Sequence, residues 1–147
     1  MSSQRETAIT NLLTLITGAY AWVTSPSRRL RTFDDTPRTS RPTAFLFEGG
    51  NDRYTSRQAG LPKRVMECKL FIYLDTSNPA TIGATAINTM IEAIEAAIKP
   101  QGMDAAQGKQ TLGGTVIDCQ INGTAFKDPG DLDGDGMIIL PFVITLP

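Results

Sequence analysis

The sequence predicts an α+β domain: two helices packed on one face of a mainly antiparallel or mixed sheet. Two segments, residues 4–23 and 79–98, carry apolar side chains at three- and four-residue steps, the period of an amphipathic helix. Residues 43–47, 64–76 and 113–145 instead carry alternating or continuous β-branched and aromatic runs, bounded by Gly, Pro and Asp. The order is helix, two or three strands, helix, two strands. At 147 residues this is most simply one domain, 1–147, long enough to bury a core without disulfides or metal.

In the first helix the stripe is Ala8, Ile9, Leu12, Leu13, Ile16, Ala19, Tyr20 and Val23, about five turns long. Ser2 or Ser3 can cap it, Glu6 suits its first turn, and Pro26 ends any continuation. Trp22, at the end of the stripe, reads as a core residue. Residues 25–33 are basic with only Leu30 and Phe33 as apolar anchors, at most an edge strand. After a turn-rich linker, residues 43–47 (TAFLF) form a short buried strand. Residues 48–63 have no apolar period and read as a long flexible loop that orders in an assembly. Arg53, Tyr54, Arg57, Lys63 and Arg64 make that loop cationic with one aromatic, so they are the interface candidates.

Residues 64–76 (RVMECKLFIYLDT) alternate strictly, which puts Met66, Cys68, Leu70, Ile72 and Leu74 on the core face. Ser77 or Asn78 can cap the second helix, with Pro79 in its first turn. Its stripe is Ile82, Ala86, Ile87, Met90, Ile91, Ile94, Ala97 and Ile98, and Pro100 and Gly102 end it. A polar connection over 101–112 leads into residues 113–145, read as a long antiparallel hairpin. In its first arm Thr115, Ile117, Cys119 and Ile121 face the core while Val116, Asp118, Gln120 and Asn122 are half-wet. The second arm, 137–144, is apolar almost throughout and so reads as a central strand covered on both faces, although Pro141 removes a donor that such a strand needs.

Net charge is −1, but it is unevenly spread. Residues 28–64 hold nine basic side chains against four acidic, and residues 65–147 hold four against ten. Were these halves to lie on opposite sides of the fold, copies could pack head to tail in a ring. The amino terminus lacks a signal peptide's basic start and apolar run, and no apolar run approaches the roughly 20 residues of a membrane span. A protein made in a cytoplasm, with no membrane partner, is expected. Cys68 and Cys119 sit in strand patterns and read as buried thiols, without metal-ligand spacing.

The chain contains no histidine, which removes the commonest general base and the usual triads, and no Ser, Cys or Lys nucleophile stands beside an identifiable base. No enzyme, catalytic residue or cofactor is expected. Asp131, Asp133 and Asp135 in DLDGDG match the first half of a calcium loop, making a calcium candidate. The twelfth position, which needs a bidentate carboxylate, falls on Phe142. A tight hairpin turn built from Asp and Gly outweighs the calcium reading.

Across nearly its full length, the chain resembles the tail terminator (tail completion, minor tail) proteins of long-tailed bacteriophages. The resemblance rests on the opening amphipathic helix, the basic stretch leading to RPTAFLFEGG, the strand RVMECKLFIYLDT, the helix NTMIEAIEAAI, and the ending TLGGTVIDCQINGTAFKDPGDLDGDGMIILPFVITLP. It implies a structural virion protein made in the host bacterial cytoplasm. Such a subunit forms a hexameric ring at the head-proximal end of the tail tube, ends tail polymerisation and provides the head-tail joining surface. Its implied partners are copies of itself, the tail tube protein and a head completion or connector protein, with DNA passing through the lumen without specific binding. On this view some of Arg53, Arg57, Lys63 and Arg64 meet acidic surfaces of a neighbouring subunit or the tube. The alternatives are a head-tail connector or head completion protein, a nucleic-acid-binding module using residues 28–64, and a calcium-dependent domain using the Asp131 loop.

Overall fold

Residues 3–56, 60 and 62–147 are described by the structure, a computed structural model; Arg57 lies outside them. Helix α1 spans Gln4–Thr17 and is capped by Ser3, whose hydroxyl accepts from the Glu6 N–H at 3.0 Å. Ala8, Ile9, Leu12 and Ile16 form its buried stripe. It is shorter than the periodicity predicts: at Gly18 the chain turns, and the Ile16 carbonyl of the last turn accepts from the Ala19 N–H and from the Trp22 indole N–H, each at 3.0 Å. Trp22 packs against the core, whereas Tyr20 and Val23, read as part of the stripe, are exposed.

Six strands make one antiparallel sheet: β1 (Thr43–Phe47), β2 (Asp52–Thr55), β3 (Lys63–Asp75), β4 (Asp118–Ile121), β5 (Phe126–Asp128) and β6 (Asp135–Thr145). The order is β1-β3-β6-β4, with β2 also on β3 and β5 also on β6. The central pair, β3 and β6, stays in register from Val65↔Thr145 to Asp75↔Asp135. Its inner face is the set the alternation predicts: Cys68, Leu70 and Ile72 stand opposite Phe142, Leu140 and Ile138, all buried. Helix α2 (Gly83–Ile98) buries Ile87, Met90, Ile94 and Ile98, which join one core with the α1 stripe and this sheet face. The α+β arrangement is therefore as predicted. Helix α2 starts later than Pro79, leaving Ile82 exposed at its N-cap. Cys68 and Cys119 are free and buried, and burial pushes the Cys68 thiol up to about 12. Among the described residues no helix is long and apolar enough to cross a membrane.

Four expectations are corrected. The segment 48–63 is not all loop, since β2 lies within it, pairing Asp52↔Met66 to Thr55↔Lys63. Strand β6 is not covered on both faces: its burial alternates strictly along the strand. Residues 101–112 hold a short helix, α3 (Met103–Gln107), whose Asp104 carboxylate accepts from the Thr111 N–H at 3.0 Å and closes the connection. Val116 is buried and Ile117 exposed, the reverse of the alternation, because Thr115 and Val116 donate to the Thr111 carbonyl in a turn that precedes β4.

Pro141 sits in a central strand at a place where its missing N–H costs nothing. The first arm of the hairpin is split into β4 and β5, and the gap between them lies beside Pro141. The Asn122 N–H donates to the Pro141 carbonyl at 3.1 Å. Because N–H and C=O of one strand residue point the same way, the proline nitrogen also faces this gap, where no ladder partner waits.

Candidate functional site: the uncovered sheet face

Among the described residues, the outer sheet face is covered only at one end. There Phe33 lies against Tyr73 with ring centroids 4.5 Å apart, and Phe45 meets the same ring at 5.5 Å. Ser27 seals the free edge of β1, donating to Ala44 and accepting from the Leu46 N–H. Further along, Phe71 and Ile139 stand opposite each other, half-buried, flanked by Phe47 and Phe126, which are 37% and 48% exposed. Phe126 is the cross-strand partner of Ile139. Among the described residues no helix shields this row.

Beyond it the sheet has a waist. Strand β1 leaves β3 at Lys69 and β2 joins it at Met66, so Glu67 and Cys68 have no strand partner on that side. On β6 the gap between β4 and β5 falls at Leu140 and Pro141, opposite Leu70 and Lys69, so it lies next along the ladder from the gap at Glu67 and Cys68. The result is an open groove of about 460 Å³ running across the two central strands. Pro141 and Val143 provide apolar lining, and Arg53, Glu67 and Lys69 provide charge. Arg53 pairs with Glu67 at 3.4 Å, leaving Lys69 without an ion pair among the described residues.

The structure gathers four interface candidates on the β2–β3 hairpin: Tyr54 stands opposite Arg64, Thr55 opposite Lys63, and Arg53 opposite Val65. The hairpin is tied to α1, since Arg5 donates to Asp52 at 3.0 Å and to the Tyr54 hydroxyl at 3.0 Å. Arg64 donates to Gln4 and, at 3.0 Å, to the Pro147 carbonyl. Tyr54 nevertheless keeps 62% of its surface exposed.

Of the calcium candidates, Asp131 is exposed on the turn and Asp135 serves arginine instead. At the far end of β3 and β6, Asp75 stands directly opposite Asp135, a like-charge pair that needs cations. Arg41 supplies one: it is buried, and its guanidinium donates to Asp135 at 2.6 Å and to the Thr36 carbonyl at 2.9 and 3.0 Å. Arg38 donates to the same carboxylate at 3.2 Å and to the Asp133 carbonyl. Asp133 in turn accepts from the Asp135 N–H at 2.9 Å. Among the described residues no group of three potential ligands converges to hold a metal. The sequence-long charge asymmetry is likewise folded partly onto itself. Arg38 and Arg41 lie at the acidic end, and Arg28 pairs with Glu6 at 2.6 Å and with Glu48.

These pairings set the acid response. The hydrogen bond from Arg41, with that of Arg38, holds the Asp135 carboxyl below its ordinary 3.8. Asp75 is lowered mainly by the Ser77 hydroxyl and N–H, and Glu6 by the hydrogen bond from Arg28. The unfolded chain therefore takes up these protons at a higher pH than the folded one. The stabilisation is full above the ordinary carboxylate values and is lost as pH falls through the lowered ones. Thermal melting followed by circular dichroism is expected to drop steeply between about pH 4 and pH 2. Asp135→Asn is expected to melt lower at neutral pH and to lose less in acid.

No protein-family model matches the chain, and no curated protein does. Among solved structures, a chain from the virion of a native gene transfer agent particle is similar, with TM-score 0.49 and 11% identity over 92% of this chain and 83% of that one. A likeness of this degree fixes neither family nor role.

Proposed function

We propose that this chain is a structural subunit of a phage-type virion: a tail terminator that forms a ring, hexameric as in the family it resembles, on the head-proximal end of the tail tube. In that role it ends tube growth and presents the surface to which the head joins. The observation that carries the reading is the one-sided build. Both long helices pack on one face of the sheet, while the opposite face keeps an uncovered aromatic row and an open groove. Surfaces of that kind mark protein contacts.

The nucleic-acid reading is weakened by the same geometry. Arg28, Arg38, Arg41 and Arg53 are engaged with carboxylates, so fewer cations are left for phosphates than residues 28–64 suggest.

The test is to add the purified protein to polymerising tail tube subunits and to measure tube lengths and ends in negative-stain images. Tubes that stop growing and carry a ring at one end are expected. Unchanged tube lengths with bare ends would overturn the terminator role, and binding to isolated heads in that case would point to head completion.

A further inference from the structure

The turn at residues 131–134 is built like a plug. Leu132, at its tip, is fully exposed, the most exposed large apolar residue among the described residues. The turn that carries it is rigid: the Gly134 N–H donates to the Gly130 carbonyl at 2.8 Å, and Arg38 holds the Asp133 carbonyl. Gly134 has φ +78° and is packed so closely on Ser77 that a Cβ would lie 2.7 Å from the serine's own. An apolar side chain held in water on a fixed turn, between Asp131 and Asp133, is pre-organised for a partner.

We infer that this turn docks into the waist groove of a second copy of the chain, Leu132 lying on Pro141 and Val143 while Asp131 and Asp133 meet Lys69 and Arg53. The inference deepens the function proposed above and rests on its ring. Charge complementarity selects the occupant: the groove carries two cations against one carboxylate, and the turn brings two carboxylates. The contact cannot form within one chain. The turn joins β6 at Asp135 and the groove crosses it at Pro141, about 20 Å further along at ~3.3 Å per residue, on the same rigid strand. A knob and a socket at different places on one subunit make a heterologous, head-to-tail contact, which propagates to a closed ring or a filament.

Three variants of the full chain test this by light scattering across a concentration series. Leu132→Asp changes only a fully exposed side chain, so it keeps the fold, and it is expected to weaken self-association by on the order of tenfold to a hundredfold. Asp131→Lys/Asp133→Lys and Arg53→Glu/Lys69→Glu are each expected to stay monomeric alone. Mixed in equal amounts they are expected to assemble, because each socket then meets a plug of opposite charge. Self-association unaffected by Leu132→Asp would overturn the inference, as would a wild-type chain that stays monomeric throughout or a charge-swapped pair that never assembles. Assembly through this contact without an effect on tail tubes would instead overturn the terminator role and leave the contact standing.

Discussion

Replacing Arg41 by methionine is expected to cost about 3 kcal/mol or more of folding stability, read as a fall in the urea midpoint at unchanged slope. Methionine fills much of the arginine stem's volume, so the loss measures the guanidinium. That group is buried, donates twice to the Thr36 carbonyl and once to Asp135 at 2.6 Å, and lies 4.8 Å above the Phe33 ring. Removing it strands a buried carbonyl and leaves Asp135 facing Asp75 with only Arg38 for relief. Lysine is expected to recover little, because a point charge cannot reproduce the planar fork that reaches Thr36 and Asp135 together. Arg38→Met is the control: its side chain is 44% exposed, and a loss of about 1 kcal/mol or less is expected. Equal losses for the two variants would mean that Arg41 does not organise this end. Because Asp135 leads directly out of the 131–134 turn, Arg41→Met is also expected to loosen the segment that carries Leu132.

Little of that clamp was visible in the sequence. Arg41 and Asp135 are 94 residues apart, and no local pattern links an arginine before a proline to an aspartate in a glycine-rich turn. DLDGDG even suggested a cation of the wrong kind. What was legible is whatever follows from a buried face. The alternation in β3 identified every inner residue from Met66 to Leu74, and Ile87, Met90, Ile94 and Ile98 marked α2. Strand β2 escaped because all four of its residues are exposed, so it has no apolar period to read. Periodicity misled where it outran its element: Tyr20 and Val23 continue the α1 stripe past Gly18, and Ile117 continues the β4 alternation back into a turn. The waist was hidden for a different reason. It is made by two gaps in edge strands, at 67–68 on β3 and beside Pro141 on β6, and only register brings them next to each other. Pro141 was the one local sign, a residue that does not belong in a continuous ladder.

Phe142→Ala is expected to be the most damaging single truncation, lowering stability by about 3–5 kcal/mol in equilibrium denaturation. The side chain is fully buried on the inner sheet face opposite Cys68, between Ile121 at the end of β4 and the stretch of β3 that neither β1 nor β2 pairs. The cavity left behind cannot be filled by moving an edge strand inward without breaking the β3–β6 ladder, so collapse is limited and the cost stays near the upper range. Phe47→Ala and Phe126→Ala remove the same ring from the outer face, where 37% and 48% of each residue is already in water, and about 1 kcal/mol or less is expected. The contrast between faces is what a docking surface requires: inner aromatics hold the fold, whereas outer ones are free to hold a neighbour. In an assembled ring the ranking should invert, with the outer truncations weakening assembly while leaving the urea midpoint of the free chain nearly unchanged. If Phe47→Ala instead unfolds the free chain as readily as Phe142→Ala, the outer face belongs to the core and is not available to a partner.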